Sequence, residues 1–355
     1  MRRDAVAGVG IAIAACVPPP IPEPAAAPAR IAIVASERGP QGARLVSIDE
    51  HGDRQFELVQ PATALVRDTN PAVSPDGAWI AFASSRDRAL DQTSLWIAPV
   101  GVTTVPRRLT DGTGVDAQPT WLPDGSAIVF ASTRDRGNFD LWRLAIRGGE
   151  PGALTQLTHS AAHEVTPAVA ADGSIVYALV TPDEAHHSVE THLEVRAPDG
   201  AIRRLTEGPA DSSPALSPDG TRLVFARPQL HGNALDSELW LMPRQGGTPA
   251  PLVDLPLTDE SGPVWSRDGR FVFATSVLRG ADDRVVFSSI IHVDLRDRPA
   301  VARMLEDRVG AVVRLTPAVT ATPLDAAALH GDPEYLPELA HVMSRQIEHQ
   351  RQATP

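Results

Sequence analysis

A seven-residue segment recurs along the chain at a nearly constant interval, and this interval constrains the fold more than any other feature. The sequence "PAVSPDG" occupies residues 71–77, and related copies begin at Pro119, Pro167, Pro214 and Pro263. The five opening prolines are 48, 48, 47 and 49 residues apart. A period of this length is typical of solenoids, propellers and other repeat arrays. The chain is therefore predicted to consist of repeated units of similar structure.

Each period contains four short apolar or alternating segments, which we name strands A to D. In the first full period, strand A surrounds Pro71, and "AWIAFASS" (78–85) and "SLWIAPV" (94–100) are strands B and C. The period closes near Leu109-Thr110. Short runs of Val, Ile, Phe and Trp between Gly and Pro turns indicate strands. Four antiparallel strands per repeat predict a propeller blade.

The "SPDG" sequence is a turn with a defined role. Proline presets φ at the second turn position, Asp suits the third, and Gly takes the left-handed conformation at the last. This chemistry predicts a tight hairpin from strand A to strand B. Two copies lose the proline, at Ala171 and Arg267, but both retain Asp-Gly.

The repeat extends beyond its five full copies. Residues 29–36, 43–49 and 55–60 match strands B, C and D of a further unit that lacks strand A. We expect the C-terminal segment "VRLTPAVTATP" (313–323) to supply that strand and close the ring, which would remove the open sheet edges. The sequence thus predicts an all-β, six-bladed β-propeller of four-stranded blades over residues 29–323, its first blade completed by a C-terminal strand.

The repeat resembles that of a known family. The stretch "FASTRDRGNFDLWRL" (130–144), preceded by "PTWLPDG" and followed by Leu157-Thr158, is similar to the propeller repeat of the TolB family of periplasmic proteins. The resemblance covers about residues 29–323. It implies a non-catalytic, protein-interaction scaffold in the bacterial envelope. TolB also carries an α/β domain before its propeller, and the present sequence shows only a proline-rich segment there, so functions tied to that domain are not carried over.

The N-terminus predicts export. Residues 1–15 begin with two arginines and continue as an apolar run, which suits a signal peptide. The residues before Cys16 resemble the bacterial lipoprotein signal, in which the cysteine becomes lipidated. Residues 16–28 are rich in proline and predict a stiff tether, and Val17 suggests the outer membrane. The alternatives are an ordinary cleaved signal peptide and a misassigned start codon.

Composition limits the partners. The formal net charge is −12, which argues against nucleic acid because phosphate binding needs a basic surface. Cys16 is the single cysteine, so no intramolecular disulfide forms. We expect a monomer that contacts the membrane through its lipid and binds an envelope protein.

An acidic residue recurs three positions before each blade proline. These residues are Asp68, Asp116, Glu164, Asp211 and Glu260, and the sixth equivalent position holds Arg314. Repetition by blade predicts a ring of carboxylates at the channel mouth, where like charges attract cations. The predicted ligand is Ca²⁺ or a basic segment of a partner. The alternative is that these acids cap local backbone amides.

The sequence contains few candidates for catalysis or metal binding. The sequence contains neither a Gly-x-Ser-x-Gly elbow nor a phosphate loop, so we predict no catalysis. The alternative is a propeller enzyme, a polysaccharide lyase or hydrolase, for which His159 and His163 are the singular candidates. A sugar- or ligand-sensing module is a further alternative. A metal cluster of His186, His187 and His192 competes with the simpler interpretation that these are exposed loop residues.

Three further features predict structure rather than chemistry. Tryptophan recurs on strand A (Trp121, Trp265) and on strand C (Trp96, Trp142, Trp240), which favours packing between blades over ligand stacking. Arg134 and Asp140 flank one B–C turn and are predicted to pair across the hairpin. Residues 324–355 have apolar positions at helical spacing and predict a short C-terminal helix.

Overall fold

The computed structural model describes most of the repeat region. The described residues are 31–39, 42–49, 54–60, 62, 65–100, 103–183, 188–208, 210–231, 234–253, 255, 258–279, 285–296, 302–304 and 327–328. They form an all-β fold without a helix. Within these ranges, therefore, no helix is long and apolar enough to cross a membrane. The predicted signal peptide, Cys16, the tether and the helix near the C-terminus lie outside these residues.

The described residues contain twenty-four strands, numbered along the chain. The N-terminal unit comprises β1 (Ile31–Gly39), β2 (Gly42–Asp49) and β3 (Arg54–Glu57). Blade 1 comprises β4 (Val66–Val73), β5 (Trp79–Ser84), β6 (Ser94–Pro99) and β7 (Arg107–Arg108). Blade 2 comprises β8 (Asp116–Trp121), β9 (Ala127–Ser132), β10 (Asp140–Arg147) and β11 (Glu150–Gln156).

The remaining blades repeat the same order. Blade 3 comprises β12 (His163–Val169), β13 (Ile175–Asp183), β14 (Ser188–Arg196) and β15 (Ile202–Arg204). Blade 4 comprises β16 (Ser212–Leu216), β17 (Arg222–His231), β18 (Ala234–Pro243) and β19 (Ala250–Val253). Blade 5 comprises β20 (Thr258–Trp265), β21 (Phe271–Arg279), β22 (Val285–Asp294) and β23 (Ala302–Met304), and β24 (Ala327–Ala328) follows.

The predicted count of six blades is wrong, because the described residues form a five-bladed propeller. The N-terminal unit does not stand as a separate four-stranded blade: β2 pairs in parallel with β4, which merges the unit, blade 1 and β24 into one eight-stranded sheet. Gly42 and Ala43 of β2 lie beyond the residues that pair with β3, and this free part of the strand pairs with β4. β24 pairs with β1 in parallel rather than in the antiparallel manner of a blade. The strand predicted within 313–323 lies outside the described residues.

The predicted A–B hairpin is confirmed. In blade 1 the Gly77 N–H donates to the Ser74 carbonyl at 2.8 Å, and Gly77 has a φ of 73°. The Asp76 carboxylate accepts the N–H of Ala78 at 3.0 Å. The glycine of every copy has a positive φ, between 66° and 84°. The Gly is therefore required by backbone geometry, while the proline before it can vary.

The hydrophobic core lies between successive blades. Leu95 and Ile97 of blade 1 pack with Ile128 and Phe130 of blade 2, and all four are almost fully buried. Trp121 joins the same cluster. Burial of aliphatic and aromatic side chains at each joint holds the blades together, at about 25 cal/mol per Å² of apolar surface.

Strand A tryptophans also bond across the joint, which confirms their predicted packing role. The Trp121 indole N–H donates to the Ala72 carbonyl of the preceding blade at 2.9 Å, and Trp265 donates to the Ala215 carbonyl at 3.0 Å. Each bond ties one inner strand to the next.

Replacing Trp121 by Phe should therefore cost more stability than the same change at Trp96. Both are buried, but the Trp96 indole N–H has no hydrogen-bond partner among the described residues. Loss of the indole bond removes one hydrogen bond between neighbouring inner strands, so Trp121→Phe should lose about 0.5–1.5 kcal/mol more than Trp96→Phe. Urea unfolding of both variants measures the difference, and equal losses would contradict the bond's contribution.

Candidate functional site

The five acidic residues predicted to line a channel mouth are all buried. Their exposed fractions are 0% or 1%. All five lie within or directly before the inner strand of a blade. The backbone N–H groups of Asp116, Glu164 and Asp211 also bond to the preceding blade. The Asp116 N–H, for example, donates to the Thr93 carbonyl of blade 1 at 3.0 Å. They are thus placed inside the wall and not on an open surface.

In the first two blades an arginine neutralises the acid. Arg86 donates from Nε and Nη2 to the two carboxylate oxygens of Asp68, at 3.2 and 2.5 Å, and Ser84 donates at 2.6 Å. Arg134 Nη2 donates to Asp116 Oδ1 at 2.7 Å. The predicted pair of Arg134 with Asp140 is therefore wrong, because the buried Asp116 takes this guanidinium.

Blade 4 repeats the arrangement and adds an aromatic layer. Arg227 Nε and Nη2 donate to the two oxygens of Asp211 at 2.6 and 2.8 Å. The same guanidinium lies 5.0 Å from the ring centre of Trp240, and that of Arg134 lies 5.3 Å from Trp142. A buried carboxylate and a tryptophan face thus hold each arginine from two sides.

The two glutamates have hydroxyl partners and, among the described residues, no arginine. Thr158 donates to Glu164, while Thr258 and Ser276 donate to Glu260 Oε1 at 2.7 and 2.8 Å. Burial raises the pKa of Glu164 to about 7 and that of Glu260 to about 8. Where the arginine is missing, the buried acid is therefore held near its neutral form.

The structure does not gather these carboxylates into a metal centre. Among the residues it describes, no group of three His, Cys, Asp or Glu side chains has the arrangement of a metal site. Three of the five acids are neutralised within their own blades. Binding of Ca²⁺ or of a basic segment by these residues stays a prediction.

A second position that recurs in every blade has an unusual backbone conformation, and sequence analysis missed it. The residue directly before each blade proline has a positive φ between 48° and 57°: these residues are Asn70, Gln118, Thr166, Ser213 and Gly262. We name them the pre-proline ring. At each of them the register between strands A and B shifts by one residue, which defines a β-bulge. Proline cannot donate to the ladder, so it is tolerated in an inner strand at such a bulge.

Three residues of the pre-proline ring line a cavity. This cavity of about 230 Å³ is lined by Gln118, Thr166 and Ser213, together with Pro167 and Pro214. Its lining contains one charged side chain, that of Arg267, which donates to the Pro75 carbonyl in the A–B turn of blade 1. The rest of the lining is neutral and mostly apolar, with amide and hydroxyl groups among proline, aliphatic and tryptophan side chains.

Several polar atoms of this region are left unsatisfied. Asn70 is 1% exposed, yet neither its Oδ1 nor its Nδ2 has a hydrogen-bond partner among the described residues. In the same part of the chain, Thr166 Oγ1 and Ser261 Oγ also lack partners. Gln118 is different, since its Oε1 accepts the Thr166 N–H at 2.7 Å. Buried polar groups are normally satisfied. Thr166 lines the cavity, so its unsatisfied hydroxyl indicates a place there for a ligand or water.

The histidine candidates do not converge. His163 is 5% exposed, and its Nδ1 accepts the Phe139 N–H at 3.2 Å. Burial lowers its pKa to about 4, so it is uncharged and forms part of the joint between blades 2 and 3. His159 is exposed, and His192 is buried with its Nε2 3.4 Å from Glu194 Oε1. His186 and His187, the other members of the predicted metal cluster, lie outside the described residues.

Comparison with known protein families identifies the family of this chain. The family model of the TolB beta propeller domain matches residues 63–269, more than half of the sequence. The chain belongs to this family. The matched part runs from the start of blade 1 to the A–B turn of blade 5, so the TolB beta propeller repeat includes the whole pre-proline ring. No curated protein matches the sequence significantly.

Solved structures show the same fold at low identity. A putative TolB from Agrobacterium tumefaciens is 16% identical, with a TM-score of 0.56, covering 83% of this chain and 95% of that one. TolB from Acinetobacter baumannii is 16% identical, with a TM-score of 0.58, covering 82% of this chain and 66% of that one. Hydrazine synthase from Kuenenia stuttgartiensis is 15% identical, with a TM-score of 0.59, covering 81% of this chain and 46% of that one. At these identities the likeness establishes the fold alone.

Replacing Asp211 by Asn should strongly destabilise the propeller. The change leaves Arg227 charged, only 14% exposed, and without its carboxylate partner. Breaking such a buried pair costs about 3–5 kcal/mol. Urea unfolding at pH 7 measures the loss, with Asp219→Asn in the exposed A–B turn as the control. A loss as small as that of the control would indicate that Asp211 is available for a ligand rather than committed to the blade.

Proposed function

We propose that the chain is a non-catalytic lipoprotein of the bacterial envelope whose TolB-like propeller binds a protein partner. In this proposal, lipidated Cys16 anchors the propeller, with the outer membrane as the expected location. The observation that carries the binding role is that Gln118, Thr166 and Ser213, three members of the pre-proline ring, have left-handed backbone conformations and line the cavity with neutral polar side chains.

The cavity fits an extended segment better than a folded surface. Its volume of about 230 Å³ is several times the roughly 30 Å³ that a water molecule occupies in the liquid. This is room for a few side chains or a short length of main chain. Amide and hydroxyl side chains both donate and accept, which matches the alternating N–H and C=O groups of a peptide.

Backbone strain supports a functional role for the ring. A non-glycine residue in the left-handed region costs about 1–2 kcal/mol, and four of the five ring positions are not glycine. Gly262 demonstrates that glycine fits this position. Backbone strain that glycine could relieve, but that recurs with other residues in its place, is commonly found at binding sites.

Hydrogen bonding, rather than charge attraction, is the recognition we propose for this cavity. The cavity lining includes one charged side chain, Arg267, and the five repeated acids are buried in the joints. The predicted acidic mouth would instead have favoured Ca²⁺ or a basic segment. Calcium titration followed by thermal unfolding tests that version separately.

Photo-crosslinking in cells tests the proposed function. A benzophenone amino acid is placed at Thr120, which lines the cavity, or at Arg147, which is exposed at the end of β10. We expect a discrete protein adduct from position 120 and none from position 147. Cys16→Ser should remove the chain from the membrane fraction. Absence of any protein adduct, together with binding to a glycan array, would favour the sugar-binding alternative, and turnover of a polysaccharide would favour the enzyme.

Ser213 allows strain and binding to be separated. Ser213→Gly relieves the left-handed strain, while Ser213→Ala keeps the Cβ and removes only the hydroxyl. We expect the glycine variant to be about 0.5–1 kcal/mol more stable than the alanine variant, because the relief exceeds the entropic cost of glycine. Both should give less of the Thr120 adduct. A glycine variant that is less stable than the alanine variant would show that the ring is not strained.

A further inference from the structure

Glu164 occupies the joint between blades 2 and 3. Its N–H donates to the Phe139 carbonyl of blade 2 at 2.7 Å, and its carboxyl accepts the hydroxyl of Thr158. Thr158 Oγ1 in turn accepts the Leu141 N–H at 2.8 Å. Main chain and side chain of Glu164 therefore both bind the preceding blade.

The groups that face Glu164 are mostly acidic. Asp140 approaches from β10 and Glu194 from β14, and both disfavour its ionisation. Glu194 accepts the hydroxyl of Tyr177 from β13 at 2.7 Å. His163, next to Glu164 on β12, is held neutral by burial.

The nearby cations serve other groups. Arg136 lies 3.8 Å from Asp140, and its side chain is 49% exposed. Arg196 donates from Nε to the Leu157 carbonyl. His192 Nε2 lies 3.4 Å from Glu194 Oε1. His159 is exposed, and its electrostatic effect favours the ionised form of Asp140.

The equivalent aspartates of other blades have an arginine partner, which Glu164 lacks among the described residues. Asp116 and Asp211 occupy the equivalent position and each has an arginine within 2.7 Å. In these two blades the guanidinium compensates the charge of the carboxylate. Glu164, which is 1% exposed, has the Thr158 hydroxyl and the Leu141 backbone N–H as donors, so no cation among the described residues compensates its charge.

We propose that Glu164 is a proton-dependent latch, closed when its carboxyl is protonated and loosened when the carboxyl ionises between Asp140 and Glu194. The latch acts on the pre-proline ring because Thr166 lies two residues further along β12. The Thr166 N–H also bonds to Gln118 across the same joint. Loosening the joint alters the cavity wall at these two residues, and only this consequence for partner binding rests on the proposed function.

The sign of the effect follows from linkage. Burial raises the pKa of Glu164 from 4.5 to about 7. Between these values the open or unfolded chain has released the proton that the closed joint retains. The equilibrium constant for closing the joint is therefore largest below about pH 4.5. It falls by up to tenfold per pH unit until the pH passes about 7.

Native-state hydrogen exchange of the full chain, without a partner, tests the latch. Protection factors of the Glu164 and Thr166 amides should fall by at least about tenfold between pH 5 and 8. In Glu164→Gln, which cannot ionise, they should be independent of pH. Glu260→Gln, at the joint of blades 4 and 5, is the matched control and should leave the pH dependence at Glu164 unchanged. A pH-independent wild type, or an unchanged pH dependence in Glu164→Gln, would overturn the proposal.

A second variant keeps the test decisive if Glu164→Gln does not fold. Thr158→Val removes the hydroxyl that stabilises the ionised carboxylate while keeping the side-chain shape. The midpoint of the exchange profile should then move to higher pH, and an unmoved midpoint contradicts the latch. The proposed function is judged by the Thr120 adduct alone, so either can fail without the other.

Discussion

The joint at the start of each inner strand is the constraint on which the propeller depends. There a backbone N–H bonds to the preceding blade, as from Asp116 to Thr93 and from Asp211 to Thr191. The side chain of the same residue is buried beneath that bond. A buried carboxyl must be either paired or neutral, because an isolated charge in the interior is too costly. The chemistry of this position therefore decides how firmly one blade holds the next.

The residue two positions further along links this joint to the cavity. Because the chain enters the inner strand at the joint and must pass a proline, it forms a bulge at once, as at Gln118 before Pro119. The bulge turns the preceding residue toward the left-handed region and places polar groups beside the cavity. Architecture and the candidate site are thus produced by the same few residues in every repeat.

Much of this could be predicted from periodicity, and the failures have physical causes. The A–B turns and the tryptophan packing followed from local chemistry. The blade count did not, because strand order alone could not show that β2 would pair in parallel with β4. The acids were found, but not their partners, which lie 18 residues away in Asp116–Arg134 and 16 in Asp211–Arg227. That spacing, and the polar residue before four of the five prolines, were signals present in the sequence.

The geometry explains which of the repeated acids are Asp and which are Glu. Asp occurs where an arginine lies in or just after strand B, as at Arg86, and the short side chain suits a bidentate pair. Glu occurs where that arginine is missing, and its extra methylene reaches a threonine hydroxyl, as at Thr258. Since hydroxyl bonds compensate a charge less than a guanidinium does, these blades are held by a carboxyl near neutrality. The repeated acids therefore form two kinds of joint, one in which a guanidinium pairs with the carboxylate and one in which hydroxyl groups bond to it.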